Sequence, residues 1–279
     1  MPDNRIGCHL STRGGYRAAA ERASALGCGS FQYFPKNPRS LGVKTFDRRD
    51  AQRCKEWCQE HGLSSIAHSP YPNNLASEDA SVRERTAESL LNDLDIAEAC
   101  GSLGVVVHFG IYKGADPLEG YRLMIGTLDD ITSRWDGKCK LLIENQAGNH
   151  GFMGMTLEEL AQVRSLSREP SKIAFCLDSC HLFASGIWKG DPGAQWHADA
   201  EKAGSLDHIA ALHFNDSAYG SGSRRDRHAR LGEGVVGDAG LRWLLEALPG
   251  IPAVLETASG ADGTHREQLS IMKSWEERT

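Results

Sequence analysis

The chain has 279 residues, of which 40% are hydrophobic and 24% are charged, and its formal net charge is −6. This composition is ordinary for a globular protein, and no apolar run approaches the roughly 20 residues that a membrane helix requires. The negative charge leaves nucleic-acid binding open, because local charge decides such binding and carboxylates that hold cations also count as negative. The polar N-terminus, residues 1–5, predicts no secretion signal and favours a cytoplasmic protein.

Short apolar segments alternate with longer amphipathic segments along the whole chain. The predicted strands are Arg5–Leu10, Ser30–Phe34, Ser64–Ala67, Gly104–Phe109, Lys140–Glu144, Ile173–Leu177, Ile209–Phe214 and Ala253–Glu256. The predicted helices are Tyr16–Gly27, Arg48–His61, Val82–Cys100, Pro117–Arg134, Leu157–Ser165 and Asp238–Leu248, with Gly101, Gly137 and Pro249-Gly250 as helix stops. Eight strands alternating with helices favour an α/β fold, a parallel (β/α)8 TIM barrel, in one domain spanning residues 1–279.

Metal-ligand residue types stand at the ends of the last six predicted strands or shortly after them. They comprise five histidines, two aspartates and two glutamates: His68, His108, Glu144, Asp178, His181, His213, Asp226, His228 and Glu256. His181 lies three residues beyond Asp178, and Asp226 and His228 lie in the loop after the seventh strand. The carboxyl ends of barrel strands converge on one face, so residues distant in sequence would surround one pocket. Crowded carboxylates repel one another unless cations neutralise them, and nine ligands exceed the needs of one ion. The pattern predicts two or three ions of zinc, manganese or iron.

Each of these residues also has a simpler interpretation. A histidine at a strand end is often only a hydrogen-bonded structural residue, and Asn215 and Asp216 could serve only as turn residues. Six further histidines show that this residue type alone is weak evidence: His9, His61, His150, His197, His208 and His265. The inference depends instead on six consecutive strands that each deliver a ligand type at the same end.

The chain contains eight cysteines, which we expect to be reduced and mostly buried. Cys54 and Cys58, and likewise Cys176 and Cys180, lie close together in sequence. Neither pair belongs to the two coupled CxxC-like elements that are typical of a structural zinc site. A zinc–thiolate site is therefore not expected.

Several motifs resemble those of the endonuclease IV family of abasic-site endonucleases, over nearly the whole chain. They include Ile143-Glu144-Asn145, Leu177-Asp178-Ser179-Cys180-His181, and Gly222-Ser223-Arg224-Arg225-Asp226-Arg227-His228 followed by Leu231-Gly232-Glu233-Gly234. The resemblance implies three zinc ions per chain, with manganese or iron possible at some sites. It implies that His68, His108 and Glu144 hold the first ion. Glu144 bridges to a second, which Asp178, His213 and Glu256 complete, while His181, Asp226 and His228 hold the third.

The resemblance also implies a reaction and a substrate. The reaction is hydrolysis of the phosphodiester 5′ to an abasic nucleotide, leaving a 3′-hydroxyl and a 5′-deoxyribose phosphate, with cleaning of blocked 3′ ends as a further activity. Glu144 and Glu256 are the predicted catalytic residues, and the predicted partner is double-stranded DNA. A monomer that acts in the cytoplasm, on the nucleoid if bacterial, is expected.

Loop residues supply the predicted DNA contacts. Asn37 and Arg39 resemble a family loop that contacts DNA, and Tyr71, like Arg39, resembles a residue inserted at the lesion. Because an abasic site has no base to read, recognition should depend on phosphate contacts and backbone shape. A basic patch beside the third ligand set is predicted to contact phosphate rather than to form a merely solvated loop. It comprises Arg224, Arg225, Arg227 and Arg230.

Two other function classes remain open at this point. A sugar isomerase or epimerase on the same type of barrel would need one or two ions and a lysine or second carboxylate for proton transfer. The basic patch has no purpose in such an enzyme. A metal-stabilised scaffold is a weaker alternative, because scaffolds rarely need open ligand clusters at a barrel mouth. The number of bound ions and the presence of turnover distinguish the three.

Overall fold

The computed structural model describes residues 5–276, in which eight parallel strands close into a barrel. In the order around the barrel, the strands are β1 (Ile6–His9), β2 (Ser30–Tyr33), β3 (Ser64–His68), β4 (Gly104–His108), β5 (Lys140–Glu144), β6 (Ile173–Asp178), β7 (Ile209–His213) and β10 (Ala253–Leu255). The predicted TIM barrel is confirmed, and each strand lies within one residue of its predicted bounds. Residues 1–4, which carry most of the prediction about secretion, lie outside the described residues.

Helices connect successive strands and cover the outside of the barrel. They are α1 (Tyr16–Ala25), α2 (Arg48–His61), α3 (Ala80–Cys100), α4 (Pro117–Ser133), α5 (Leu157–Leu166), α6 (Ser179–Ala184), α7 (Gln195–Lys202), α8 (Asp238–Ala247) and α9 (Arg266–Glu276). Local sequence explains several ends: the Asp47 carboxylate accepts from two backbone N–H groups of α2, and Gly101 ends α3 in the left-handed conformation, at φ 74°. Gly137 is not a helix stop, because α4 ends at Ser133.

The sequence prediction lacks three helices and one small sheet. Helix α6 has six residues, too few for a periodic pattern, and α7 has eight. Helix α9 buries Leu269, Met272 and Trp275, whose spacing of three is a helical signal. Strands β8 (Asp216–Ser217) and β9 (His228–Ala229) pair antiparallel after β7. Within residues 5–276, no helix is long and apolar enough to cross a bilayer.

Two hydrophobic clusters follow from the period of two along each strand. The larger cluster lies between the barrel and its helices and includes Val105, Val107 and Ile143. The smaller one fills the barrel interior and consists of Ile66, Val106, Leu142, Ala174, Cys176, Ala211 and Val254. Alternate side chains of a strand therefore face outward to the helices and inward to the barrel axis.

Candidate metal centre

The period of two places the predicted ligands at the mouth of the barrel. His68, His108 and Glu144 each lie two residues beyond an interior core residue, namely Ile66, Val106 and Leu142. The same spacing relates Asp178 to Cys176, His213 to Ala211, and Glu256 to Val254. Because side chains two apart share a face, all six continue the inward-facing rows into one layer above the interior core.

The first ligand set surrounds one oxygen of Glu144. His108 Nε2 lies 3.3 Å and His68 Nε2 lies 3.9 Å from Glu144 Oε2. His68 Nδ1 lies 2.7 Å from the Ser69 carbonyl oxygen, which can only accept, so Nδ1 carries the proton and Nε2 keeps its lone pair. This arrangement of two imidazoles and a carboxylate is suited to a cation.

The second set shares Glu144 with the first. His213 Nδ1 lies 3.0 Å from Glu144 Oε1, 3.1 Å from Glu256 Oε2 and 3.9 Å from Asp178 Oδ2. Candidate ligand atoms of these four residues all lie within 4.8 Å of one another. Glu144 therefore connects the two sets, one carboxylate oxygen facing each.

In the third set, Asp226 lies between two histidines. Its carboxylate oxygens lie 3.3 Å from His181 Nε2 and 3.4 Å from His228 Nε2. The close ligand group here also includes Asp178, which lies with His181 and His228 within 4.8 Å. All nine predicted ligands thus form one continuous cluster across the barrel mouth.

Cys180 lies beside this third set, within 4.8 Å of ligand atoms of Asp226 and His228. Burial raises the pKa of its thiol to about 12. The thiol therefore stays protonated at neutral pH, with its sulfur 3.8 Å from the Arg227 carbonyl oxygen. Cys180 is therefore a further group close to the third set and is not one of the nine predicted ligands. The eight cysteines are free and buried, as predicted.

Opposite charges offset the cost of burying the carboxylates. Burial alone would raise the pKa of Glu144, but the imidazoles of His213 and His108 hold it well below its usual value. Burial likewise acts against ionisation of Glu256, but His213 and His68 lower its pKa to about 2. For His68, burial outweighs the nearby carboxylates and lowers the pKa to about 4, so its imidazole is neutral at pH 7. Ionised carboxylates and a neutral imidazole are the protonation states that bind cations. Burial lowers the pKa of His213, but the nearby anionic groups outweigh burial and hold this pKa well above its usual value, so its imidazole carries a second proton that a bound cation would replace.

The chemistry of these residues fits divalent ions. Glu144 Oε2 and His228 Nε2 are buried and have no hydrogen-bond partner among residues 5–276. An unpaired buried polar atom is costly, and a coordinated cation removes that cost. Five imidazoles with four carboxylates form a ligand set for zinc, manganese or iron. The donor atoms of this cluster are therefore of the types that bind divalent metal ions.

Two asparagines support the ligands, and the sequence prediction did not include them. Asn215 is more than a turn residue, because it is buried and its Nδ2 donates to Asp178 Oδ2 at 2.8 Å. Its Oδ1 accepts from the backbone N–H of Glu256 at 2.9 Å. Asn145 Oδ1 accepts from the backbone N–H of Asp178 at 2.7 Å. Both follow a predicted strand directly, so their position was an available signal.

The loop that follows β2 meets the loop that follows β3 beside the first ligand set. Asn37 and Arg39 are exposed, and Asn37 Oδ1 accepts from the Arg39 backbone N–H at 3.0 Å, which shapes this turn. The Tyr71 backbone N–H donates to the Pro38 carbonyl at 2.9 Å. The Tyr71 ring is 59% exposed and packs edge-on against Phe34, with 5.4 Å between centroids. These predicted DNA contacts therefore lie together at the rim.

The four arginines of the predicted basic patch differ in their surroundings. Arg224, Arg225 and Arg227 are exposed, whereas Arg230 forms ion pairs with Glu233 at 2.9 Å and Glu267 at 2.5 Å. Because those carboxylates offset its charge, Arg230 is expected to contribute less to the patch than the other three arginines. Arg224 has φ 54°, a left-handed conformation that costs a non-glycine residue about 1 kcal/mol, and its N–H donates to the Ala184 carbonyl.

Comparisons with known proteins agree with this arrangement. Residues 20–275 match the family model of the xylose isomerase-like TIM barrel. A protein of Symbiobacterium thermophilum named probable endonuclease 4 is 40% identical over 272 residues, covering 97% of this chain and 99% of that protein. The chain belongs to the endonuclease IV family.

Structural comparison gives the same relationship. The crystal structure of endonuclease IV from Thermus thermophilus superimposes with a TM-score of 0.86 at 31% identity, covering 99% of this chain and all of that one. A D-tagatose 3-epimerase-like protein has a TM-score of 0.70 at 20% identity, which shows a shared fold alone. Family membership confirms the predicted enzyme class, an endonuclease of the endonuclease IV type.

Proposed function

We propose that this protein hydrolyses the phosphodiester on the 5′ side of an abasic nucleotide in double-stranded DNA. The observation that carries the proposal is the continuous cluster of nine imidazole and carboxylate ligands at the mouth of an endonuclease IV-type barrel. Its size supports three divalent ions, zinc first, with manganese or iron at some sites. Blocked 3′ ends would be a second substrate. The proposed unit is one monomeric catalytic domain, residues 1–279, acting on cytoplasmic or nucleoid DNA.

The ligand sets assign the residues that would hold the ions. His68, His108 and Glu144 would form one site, and Asp178, His213 and Glu256 with Glu144 a second. His181, Asp226 and His228, with Asp178 beside them, would form the third. Divalent cations there would neutralise the phosphodiester and lower the pKa of the attacking water.

The chain's own residues prepare the reaction in two ways. Glu144 is buried between the first two sets, with one oxygen facing each, so it would hold an ion in both sites. Glu256 is 17% exposed, so one side of its carboxylate can meet the substrate. With a pKa of about 2, it is ionised at all physiological pH values and can accept a hydrogen bond from the attacking water.

Recognition of the lesion would depend on the exposed rim. Arg39 and Tyr71 would probe the stack at the abasic site, where a base is already missing and unstacking costs least. Asn37 shapes their loop, and Arg224 and Arg227 lie beside the third ligand set, where they can contact phosphates. Recognition by these three loops would therefore depend on the stack and the phosphates around the lesion rather than on the identity of a base.

An end-labelled duplex with one stable abasic analogue tests the proposal. We expect one cut on the 5′ side that leaves a 3′-hydroxyl, is absent from an undamaged duplex, and disappears when the metal is stripped. Adding zinc or manganese back should restore it. If the metal-loaded protein does not cut, the proposal is wrong, and turnover of ketoses and aldoses would then test the sugar-isomerase alternative. A duplex with a blocked 3′ end measures the second activity separately.

A further inference from the structure

Gln32, a buried residue, occupies the same layer as the proposed ligands, at the inward face of β2. This strand supplies no predicted ligand, yet the Gln32 side chain lies within the metal centre and is fully buried. Its Nε2 lies 2.6 Å from Glu256 Oε1 and 3.1 Å from His9 Nδ1. Its Oε1 lies 2.7 Å from His213 Nε2. One amide thus contacts two residues of the second ligand set.

The chemistry of these partners fixes the direction of each hydrogen bond. An ionised carboxylate only accepts, so the amide nitrogen of Gln32 must face Glu256. The amide oxygen then faces His213, and it also only accepts. His213 must therefore donate from Nε2. Its other nitrogen, Nδ1, faces Glu144 and Glu256 at 3.0 and 3.1 Å.

The close approach of β1 and β2 helps to hold this amide in place. A Cβ on Gly7 would lie 1.8 Å from the Ser30 carbonyl oxygen, so only glycine allows the two strands to pair here. Ser30 and Gln32 share the inward face of β2, and Gln32 pairs in register with His9 of β1. His9 Nδ1 contacts the same amide nitrogen and so further restricts the orientation of the amide.

We propose that Gln32 is a positioning residue of the metal centre, which fixes the Nε2-protonated tautomer of His213 and the orientation of Glu256. The ligand atoms of both residues then face the position that they share with Asp178 and Glu144. The proposal depends on the metal centre put forward above. Hydrogen-bond partners of ligands commonly contribute about 10- to 100-fold to metal affinity. Gln32 contacts ligands of the second set only. Its loss should therefore lower the binding affinity for one of the three proposed ions.

Metal retention by the metal-loaded protein tests this role without any measurement of activity. Gln32→Met keeps the approximate shape of the side chain and removes both hydrogen-bonding groups. Samples would be equilibrated with increasing chelator, and the remaining ions per chain measured by elemental analysis. We expect one ion to leave at about 10- to 100-fold lower chelator activity than in wild type, and two to be retained.

Gln268→Met is the matched control. Gln268 is equally buried, at 1%, and its amide bonds to the Leu231 N–H, the Thr257 hydroxyl and the Ala258 carbonyl rather than to a ligand side chain. It should lower Tm yet keep all ions at the wild-type chelator concentration. The proposal is overturned if the Gln32→Met variant retains every ion as wild type does, or if it loses all its ions together. A wild-type protein that binds no ion overturns the metal centre itself.

Imidazole NMR of the metal-loaded wild type gives a second measurement that does not depend on a variant folding. We expect His213 to carry its proton on Nε2, with slow exchange against water because Gln32 accepts that hydrogen. A proton on Nδ1 would contradict the assigned hydrogen bonds. If Gln32→Met folds, the same Nε2 proton should exchange faster, whereas it should not change in Gln268→Met.

Discussion

Two groups of side chains meet at the barrel mouth, and the chain holds them in different ways. Most proposed ligands at strand ends are buried: Glu144 is 2% exposed, and Asp178 and His213 are fully buried, whereas the His108 side chain is 42% exposed. The proposed DNA contacts lie on loops, and Arg39 and Tyr71 are exposed at the rim. Strands in a closed barrel cannot shift singly, because each is hydrogen-bonded on both sides. Loops have fewer such constraints.

Under the proposed function, this difference would separate the residues for chemistry from the residues for recognition. Ions held a few ångströms apart need ligands that do not move, and a lesion in DNA needs contacts that adapt to its backbone. The loops are nevertheless tied to the scaffold at specific points. One is the bond from the Tyr71 N–H to the Pro38 carbonyl, and another is the buried Lys36 that precedes Asn37. Substitutions in each group should therefore affect different quantities.

Glu256→Gln should have the largest effect among the substitutions considered. It removes a charge from the second ligand set and an acceptor for the attacking water. We expect kcat to fall about a thousandfold, equivalent to roughly 4 kcal/mol, with Tm changed by only a few degrees. Single-turnover cleavage of the abasic duplex and thermal unfolding measure the two quantities. Full activity with full metal content would remove Glu256 from the mechanism.

Lys36→Met should affect stability next most strongly. Lys36 Nζ lies 3.2 Å from Asp93 Oδ1 on α3 and donates to the Ser89 carbonyl at 2.6 Å, and both side chains of the ion pair are almost fully buried. Removing Lys36 leaves a buried carboxyl group that must either stay charged without a partner or take up a proton, which costs about 3 kcal/mol or more. Denaturant unfolding at pH 8 measures this loss. Arg48→Met, which breaks the exposed Arg48–Asp95 pair, should cost less than about 1 kcal/mol.

The same pair gives the protein a pH dependence with a defined sign. Burial raises the pKa of Asp93 to about 7, although Lys36 opposes this shift. The Asp93 carboxyl therefore stays protonated in the folded protein at pH values at which it is ionised in the unfolded chain. The contribution of the Asp93 carboxyl to the free energy of unfolding is fully present below about pH 4 and is lost as the pH rises towards 7. Asp93→Asn should remove that part of the pH profile. An unchanged profile between pH 4 and 7 would contradict the assignment.

The strand-end residues could be predicted from sequence because two simple rules locate them. Apolar runs mark the strands, and parallel strands in a barrel end on one face, which places Glu144 beside His213 although they are 69 positions apart. The period of two also predicts that Gln32 and His9 face inward, but β1 and β2 carry no carboxylate there, so their sequence alone gives no sign of a metal centre.

Loop geometry could not be predicted in the same way. The ion pairs of Arg230 depend on where Glu267 of α9 lies, and no local pattern near Arg230 indicates that contact. The Cys180 thiol beside His228 is likewise a product of the β8–β9 hairpin, which is too short for a periodic signal. The positions of residues on strands can therefore be predicted from the sequence pattern, even between residues far apart in the chain. The positions of residues in irregular segments depend instead on contacts specific to this fold.

Arg39→Ala tests the loop side of the comparison. The guanidinium belongs to an exposed loop at the rim rather than to the ligand layer, so we expect KM for the abasic duplex to rise about tenfold, or roughly 1.4 kcal/mol, with kcat nearly unchanged. Steady-state kinetics measure the two parameters. Arg168→Ala is a control for charge, since Arg168 lies in the connection before β6, at the opposite end of the barrel. A fall in kcat with unchanged KM would assign Arg39 to the chemistry instead.

The smallest effect should come from the basic patch and should appear in the salt dependence. Arg224→Gln and Arg227→Gln each remove an exposed cation beside the third ligand set, so the slope of log affinity against log salt should decrease by about 1 for each. Arg230→Gln is the matched control from the same segment: its guanidinium is already paired with Glu233 and Glu267, so its slope should equal that of wild type. Binding titrations at several salt concentrations, with a catalytically inactive Glu256→Gln background, measure these slopes. If all three variants shift the slope equally, DNA competes successfully for Arg230, and the patch would include four arginines after all.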